Sequence, residues 1–427
     1  MHPKKHNNDM KKYLLFISAA LLLGMTSCKK EQFDQELYNQ YVDYEFMVDY
    51  MDKGHDWNLV KSDTVTITTG SEVQKVQILT ANNFETDDAE IAAEGVCHEG
   101  ETTLAYTLPL YQDQAYVVAL ASDGSYLGYR PLDYGTKTLD MTNYTSQGRS
   151  AAREPKAQTF TYLYEASFPE PGDFDYNDVV MRVTKSYGLA SYVVLLTVKL
   201  EAVGIRKQVA AGIHLGGVKY DDIYKVELVS RQKLDNDYPM PRRYIQSNDH
   251  LMRGRNGEAV INVLEDAHWA MLKNRASDGS ITRMELNTSH DLTPGVAEQA
   301  EPVTVTYQIS FKSPEQARCL TFDRIDPFIV EEYNGGLWEV HTYRYKFNDV
   351  LYNIFRGNQN AYDNHVSWCV TVPKGDFRYS IEGMPLGTYN KESGETFGPY
   401  LDFAHWMQSH KRYTTWYVTA NNPQLLY

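Results

Sequence analysis

The chemically loaded segment of the chain is Phe168-Pro-Glu-Pro-Gly-Asp-Phe-Asp-Tyr-Asn-Asp-Val-Val-Met181. Asp173, Asp175, Asn177 and Asp178 place four oxygen-bearing side chains within six residues, and Glu165 stands just upstream. At alternate positions of a tight loop such oxygens converge on a hard cation, while Phe174 and Tyr176 turn the other way into a core. The neighbouring carboxylates repel one another, and a divalent ion relieves that repulsion; Ca²⁺ takes six to eight oxygens. An all-oxygen set favours Ca²⁺ over zinc, which would recruit His or Cys. The loop is not an EF-hand, because Asp178 stands where that motif needs Gly and Thr184 where it needs a bidentate Glu. Without a metal, the same Asp and Asn residues would shape a turn and cap backbone amides.

Other candidates for chemistry are sparser. Glu339 and His341 sit two apart on an expected strand, hence on one face, where they could approach the acidic loop. As acid and base or as ligands they need a pocket; otherwise they are a hydrogen-bonded structural pair. No HExxH, GxSxG, Walker or GxGxxG context appears. Cys97, Cys319 and Cys369 show no CxxC or Cys/His zinc pattern, and one disulfide at most could form among them, the plain expectation being buried small apolar groups. At the start of the chain, Lys4, Lys5, Lys11 and Lys12 precede an apolar run, Tyr13 to Met25, too short to span a bilayer comfortably. Met25-Thr26-Ser27-Cys28 then resembles the lipobox of bacterial lipoproteins, which would make Cys28 the acylated N-terminus. The charged stretch Lys29 to Glu36 loosely resembles an export signal for the outer face of Gram-negative cells, or is a solvated linker.

The elements that must position these groups are mainly strands. Phe33, Leu37, Tyr41, Tyr44, Val48 and Met51 recur at helical spacing, and Lys53-Gly54 stops that short helix. Val65–Ile67, Val73–Leu79, Thr102–Leu108 and Gln114–Ala121 are β-branched or aromatic runs, and Asp123-Gly124 signals a two-residue hairpin turn. Residues 143–155 are polar and unpatterned, an expected linker. Beyond it, Tyr192, Val194, Leu196, Val198 and Leu200 share a face, and Val303 to Phe311 alternates. Phe403, Trp406 and Met407 mark a short helix. The expected architecture is all-β: two β-sandwich-like domains with a short N-terminal helix and minor helical insertions. Its segments are a signal peptide over 1–27, a tether and helix over 28–60, a first sandwich over 61–142, the linker 143–155 and a larger domain over 156–427. Composition agrees, since 33 Tyr, 15 Phe and 6 Trp favour sheets and interaction surfaces over helical bundles. The net charge of −15 would be repelled by phosphate backbones, which argues against a nucleic-acid partner.

Glu165 followed by Gly172-Asp-Phe-Asp-Tyr-Asn-Asp-Val-Val180 resembles the hallmark of the LruC-type domain of bacterial surface lipoproteins. Asp266-Ala-His268, Asp326-Pro-Phe328, Trp338-Glu-Val-His341, Val372-Pro373, Phe377-Arg-Tyr379, Tyr400-Leu-Asp-Phe403, Trp406 and Thr415-Trp-Tyr417 continue the resemblance in order over about 155–420. The family usually shows Glu-Asp where this chain has Glu165-Ala166. The resemblance implies location and architecture more than activity, and with the lipobox and the acidic loop the expected molecule is a lipid-anchored protein of the outer membrane, on the cell surface, with a Ca²⁺-stabilised loop. It would bind a glycan or protein, or serve a structural role, and would not be an enzyme. The competing expectations are a glycan-acting enzyme using the acidic loop or Glu339/His341, and a periplasm-facing scaffold for outer-membrane assembly.

Overall fold

In this computed structural model the described residues are 51–52, 54–97, 100–146, 152–166, 172–232, 244–245, 249–272, 280–354, 366–389, 395–409 and 411–427. Cys28 and all of the expected N-terminal helix but Met51 lie outside them. Strand accounts for 45% of the structure and helix for 9%, so the protein is all-β. Alternation does most of this work: Val303–Phe311 buries every second residue through its first seven positions, and Val193–Ala202 does so from Leu196 onward. Such a period of two fits a pleated strand whose one face meets a core.

The longest sheet runs in the order Ile223–Gln232, Val303–Phe311, Val193–Ala202, Val179–Tyr187, Lys156–Tyr164, Glu90–Val96, Lys75–Leu79, Gln114–Leu120, Tyr126–Asp133 and Thr145–Ser146, with Cys369–Val372 also paired to Lys156–Tyr164. A six-stranded sheet runs Leu251–Arg253, Glu258–Leu264, Ala210–Lys219, Ile325–Tyr333, Gly336–Val340, Asn353–Ile354, and a three-stranded one runs Glu101–Pro109, Val60–Thr69, Thr138–Met141. Val65, Ile67, Leu104 and Tyr106 of the three-stranded sheet pack on Val76, Ile78, Val117 and Ala119 of the long one, which makes the first sandwich. In the larger half, Ile213, Ile261 and Ile329 of the six-stranded sheet pack on Tyr162, Val183, Leu196 and Tyr307 of the long sheet. The opposite face of the long sheet, through Leu163, Val180 and Val370, is covered by an aromatic layer of Phe377, Tyr400, Phe403, Trp406 and Trp416. The larger half is therefore three layers deep.

Three features differ from the sequence expectations. The turn after Gln114–Leu120 has three residues between Ala121 and Ser125, whose N–H and carbonyl bond at 2.9 Å, with Gly124 left-handed at φ 79°. That is a hairpin with a bulge-type loop, because Ser122 joins Asp123-Gly124 inside it. Trp57 and Leu59, at the end of the expected tether, lie in the aromatic core of the larger half, with Trp57 edge-on to Trp406. Finally, the long sheet passes from one half into the other through two parallel pairs, Glu90 with Lys156 and Ile91 with Ala157. Residues Tyr44–Tyr427 accordingly form one compact unit. Of the three thiols only Cys369 is buried; Cys319 is exposed, and all three are free.

Candidate metal centre

Antiparallel pairing puts Tyr164, the last residue of its strand, opposite Val179, the first of the next. Glu165 and Asp178 therefore face each other across the mouth of the hairpin, and the Ala166 N–H closes it by donating to Asp178 Oδ2 at 2.6 Å. Within the loop, Phe174 at φ 57° and Tyr176 at φ 55° are left-handed. Such a conformation costs a bulky residue about 1–3 kcal/mol. Burial of both rings offsets it: Phe174 is 2% exposed and Tyr176 fully buried. Phe174 lies against Trp368, and the Tyr176 hydroxyl donates to the Ser367 carbonyl at 2.9 Å. Because the aromatics alternate with the acids, locking the rings into the core turns the carboxylates together.

Glu165, Asp173 and Asp175 each offer a carboxylate oxygen, and the three oxygens lie within 4.8 Å of one another. Ligands at calcium's bond length of about 2.3–2.6 Å stand up to roughly 5 Å apart across the ion, so this spacing can hold one. Asp175 also anchors the loop, accepting from Asn177 N at 3.0 Å, Asn177 Nδ2 at 2.8 Å and Gly383 N at 2.7 Å. A carboxylate has about four acceptor positions, so one remains for a cation. Asp178 stands beside Glu165 at the rim. Asn177 donates its second amide hydrogen to the Ser380 carbonyl at 3.1 Å, and its buried Oδ1 has no hydrogen-bond partner among the described residues.

That orphaned oxygen leads to a residue the sequence did not reveal. A β-carbon on Gly204 would sit 2.4 Å from Asn177 Oδ1 and 2.9 Å from Glu382 Oε2, so both oxygens crowd the space that only glycine leaves. Glu382 is otherwise held by the Thr288 hydroxyl at 3.0 Å. Over 200 residues separate it from the loop, and no local motif marks it.

Burial, reinforced by the charge of Asp178, pushes Asp173 up to about 7; burial pushes Asp178 up to about 6 against the pull of the Ala166 N–H and Lys207. Glu165, Asp175 and Glu382 are raised well above the carboxylate range, first by burial and then chiefly by the charges of Asp173 and Asp178. Lys207, the cation acting on Asp178, is itself paired with Glu331. Five carboxyl groups thus share a buried space, Lys207 is the cation that acts on Asp178 there, and the donors are all oxygen.

Glu339 and His341 belong to a different group. His341 Nε2 meets Glu339 Oε2 at 3.1 Å and His341 Nδ1 meets Asp326 Oδ2 at 2.6 Å. The same Asp326 oxygen meets His214 Nδ1 at 3.0 Å, and His214 Nε2 meets Glu258 Oε2 at 2.8 Å. Burial, the largest single influence, acts to raise Asp326, yet the two imidazoles together bring it down to about 2. Burial likewise opposes charge on His341, but Asp326 and Glu339 raise it to about 9. Glu339 also receives the backbone N–H groups of Val350, Leu351 and Tyr352. Asp266 of the Asp266-Ala-His268 motif caps the short helix Ala267–Met271, accepting from Trp269 N at 3.1 Å.

Fold and site together define an all-β protein with a carboxylate cluster at the mouth of a central hairpin. The chain belongs to the family described as "Domain of unknown function (DUF4842)", which matches residues 192–417. That span contains His214, Glu258, Asp326, Glu339, His341 and Glu382, whereas Glu165 and the 173–178 loop precede it. No curated protein matches the chain. Among solved structures, the crystal structure of a "Putative lipoprotein" from Bacteroides ovatus is similar at 17% sequence identity and a TM-score of 0.40, over 88% of this chain and 98% of that one.

Proposed function

We propose that this protein is an envelope lipoprotein, anchored in the outer membrane through acylated Cys28 and displayed at the cell surface. Its larger half is an LruC-type domain whose Glu165/Asp173/Asp175 cluster, completed by Asp178, Asn177 and Glu382, binds Ca²⁺ and fixes a surface that binds a glycan or protein partner. The single observation that carries the ion is the convergence of three buried or half-buried carboxylates on one point. The orphaned Asn177 Oδ1 supports it independently, because a buried acceptor left without a donor costs about 1–3 kcal/mol and a cation would satisfy it. The role is shape rather than turnover: an ion that binds only the folded loop stabilises it by RT ln(1 + [L]/Kd). The Glu339/His341 pair supports the same non-catalytic reading, since both imidazole nitrogens are engaged and the pair is buried.

The test is thermal unfolding of the full chain, purified in detergent, in millimolar Ca²⁺ and in chelator. Calcium should raise Tm, and Asp173→Ala should abolish that difference; a wild-type Tm indifferent to chelator defeats the proposal. Mass spectrometry of the N-terminal peptide checks acylation of Cys28. Protease shaving of intact cells separates surface display from a periplasmic face.

A further inference from the structure

The His214, Asp326 and His341 group uses nitrogen donors and lies in another sheet from the acidic loop, so it calls for a different ion. We propose that these three residues form a second metal centre, for a transition-metal ion of the zinc class. One imidazole nitrogen from each histidine and one carboxylate oxygen lie within 4.8 Å of one another, and all three residues are buried; the Nδ1 atoms are the ones that meet Asp326 Oδ2. Register places His214 directly opposite Asp326 on adjacent strands, Ala210–Lys219 and Ile325–Tyr333. His341 follows the next strand, Gly336–Val340, so the backbone itself holds the three donors together.

The outer contacts point the same way. Metal-bound histidines almost always give their far N–H to a carboxylate or carbonyl, which fixes tautomer and ring orientation. Here both do: His214 Nε2 faces Glu258 Oε2 and His341 Nε2 faces Glu339 Oε2. Asp326 is steadied through its second oxygen by Thr342 N at 3.1 Å and Thr342 Oγ1 at 2.8 Å. Proton counting then separates two states. If all four imidazole–carboxylate contacts are hydrogen bonds, both rings must carry two N–H groups and be cations. With a metal, each ring is neutral, keeps its proton on Nε2 and turns a lone pair on Nδ1 to the ion. Tetrahedral zinc ligands with bonds of about 2.0 Å stand roughly 3.3 Å apart. The Nδ1–Oδ2 distances of 3.0 and 2.6 Å need only a few tenths of an ångström of opening at His214 and somewhat more at His341.

The full chain, stripped with chelator and titrated with Zn²⁺, should bind one zinc ion per chain that survives dialysis in excess Ca²⁺. Titrated with Co²⁺ instead, it should develop a visible d–d absorption band. His341→Gln should abolish the band, Asp175→Asn should leave it intact, and Glu258→Ala should weaken zinc binding by about 10–100-fold. His341→Cys replaces one donor with another and should add a sulfur-to-cobalt charge-transfer band, so a folded variant reads out ligation directly. If the wild-type chain retains no zinc and gives no cobalt band, the group is a hydrogen-bonded ladder of two imidazolium ions and three carboxylates, and the proposal falls. A band that persists in His341→Gln would equally overturn it, by placing the metal elsewhere.

Discussion

At the scale of single residues, the acidic loop is governed by burial and by repulsion among its carboxylates. With Asp173 raised to about 7 and Asp178 to about 6, the ion-free folded protein holds protons that the unfolded chain releases near pH 4. The folded state therefore binds more protons between about pH 4 and 7, and stability falls as pH rises through that window. In the proposed calcium-bound state the ion would replace those protons as the neutralising charge. The rise in Tm on adding Ca²⁺ should grow from pH 5 to pH 8; a rise that shrinks over that range would contradict the assignment. Gly204→Ala tests the same space without touching a charge. Its methyl would press on Asn177 Oδ1 and Glu382 Oε2, so it should cost about 1–3 kcal/mol in urea unfolding and reduce the calcium response. The oxygen-rich loop was legible because its donors are neighbours in sequence. Glu382 was not, because a turn about two hundred residues on delivers it, and neither were His214 and Glu258, which only strand register brings in.

Among the elements, what was legible followed from periodicity. The alternation of Val303–Phe311, the face shared by Val194, Leu196, Val198 and Leu200, and the helix Leu401–Met407 were all readable from apolar spacing. Harder to read was Glu90–Val96, whose short, small and acidic residues carry little strand signal, although it is the strand that joins the two halves. The aromatic layer was visible only as composition. Its geometry, with Trp406 edge-on to His55 and Trp57 and close to Trp416, depends on segments hundreds of residues apart. Because Tyr176 packs on Phe403 of the same layer, damage there should reach the acidic loop. Trp406→Ala should destabilise by about 3–5 kcal/mol in chemical denaturation and also weaken calcium binding measured by calorimetry. Loss of stability with unchanged calcium affinity would show that layer and loop are independent.

For the whole molecule, the join between the halves is polar as well as hydrogen-bonded in the sheet. Lys185 is fully buried, and its ammonium donates to the Ala92 carbonyl of the first sandwich and the Leu320 carbonyl of the larger half, each at 3.1 Å. Burial lowers it to about 7, with Asp323 opposing, and the Tyr187 and Phe322 rings flank it. Between about pH 7 and 10.5 the unfolded chain carries this proton and the folded one has shed it, so stability should rise with pH across that window. Lys185→Met should remove that slope, checked by urea unfolding of both proteins at pH 7, 8.5 and 10. Ser62 Oγ bonds Asp323 at 2.8 Å and Gln158 Nε2 bonds the Thr107 carbonyl at 3.1 Å across the same join. Wild-type residues 44–427 should therefore melt in one calorimetric transition; two separated peaks would show autonomous halves.

The bond from Gly383 to Asp175 spans 208 positions along the chain. During synthesis the hairpin emerges long before its lid, and its carboxylates stay open to water until the 380s arrive. A polypeptide cut short before that point would also lack Tyr400, Phe403, Trp406 and Trp416 of the aromatic layer, so it would hold neither the covered sheet face nor the proposed calcium cage. If the proposed calcium site holds, ion retention would mark a chain finished through its last segment.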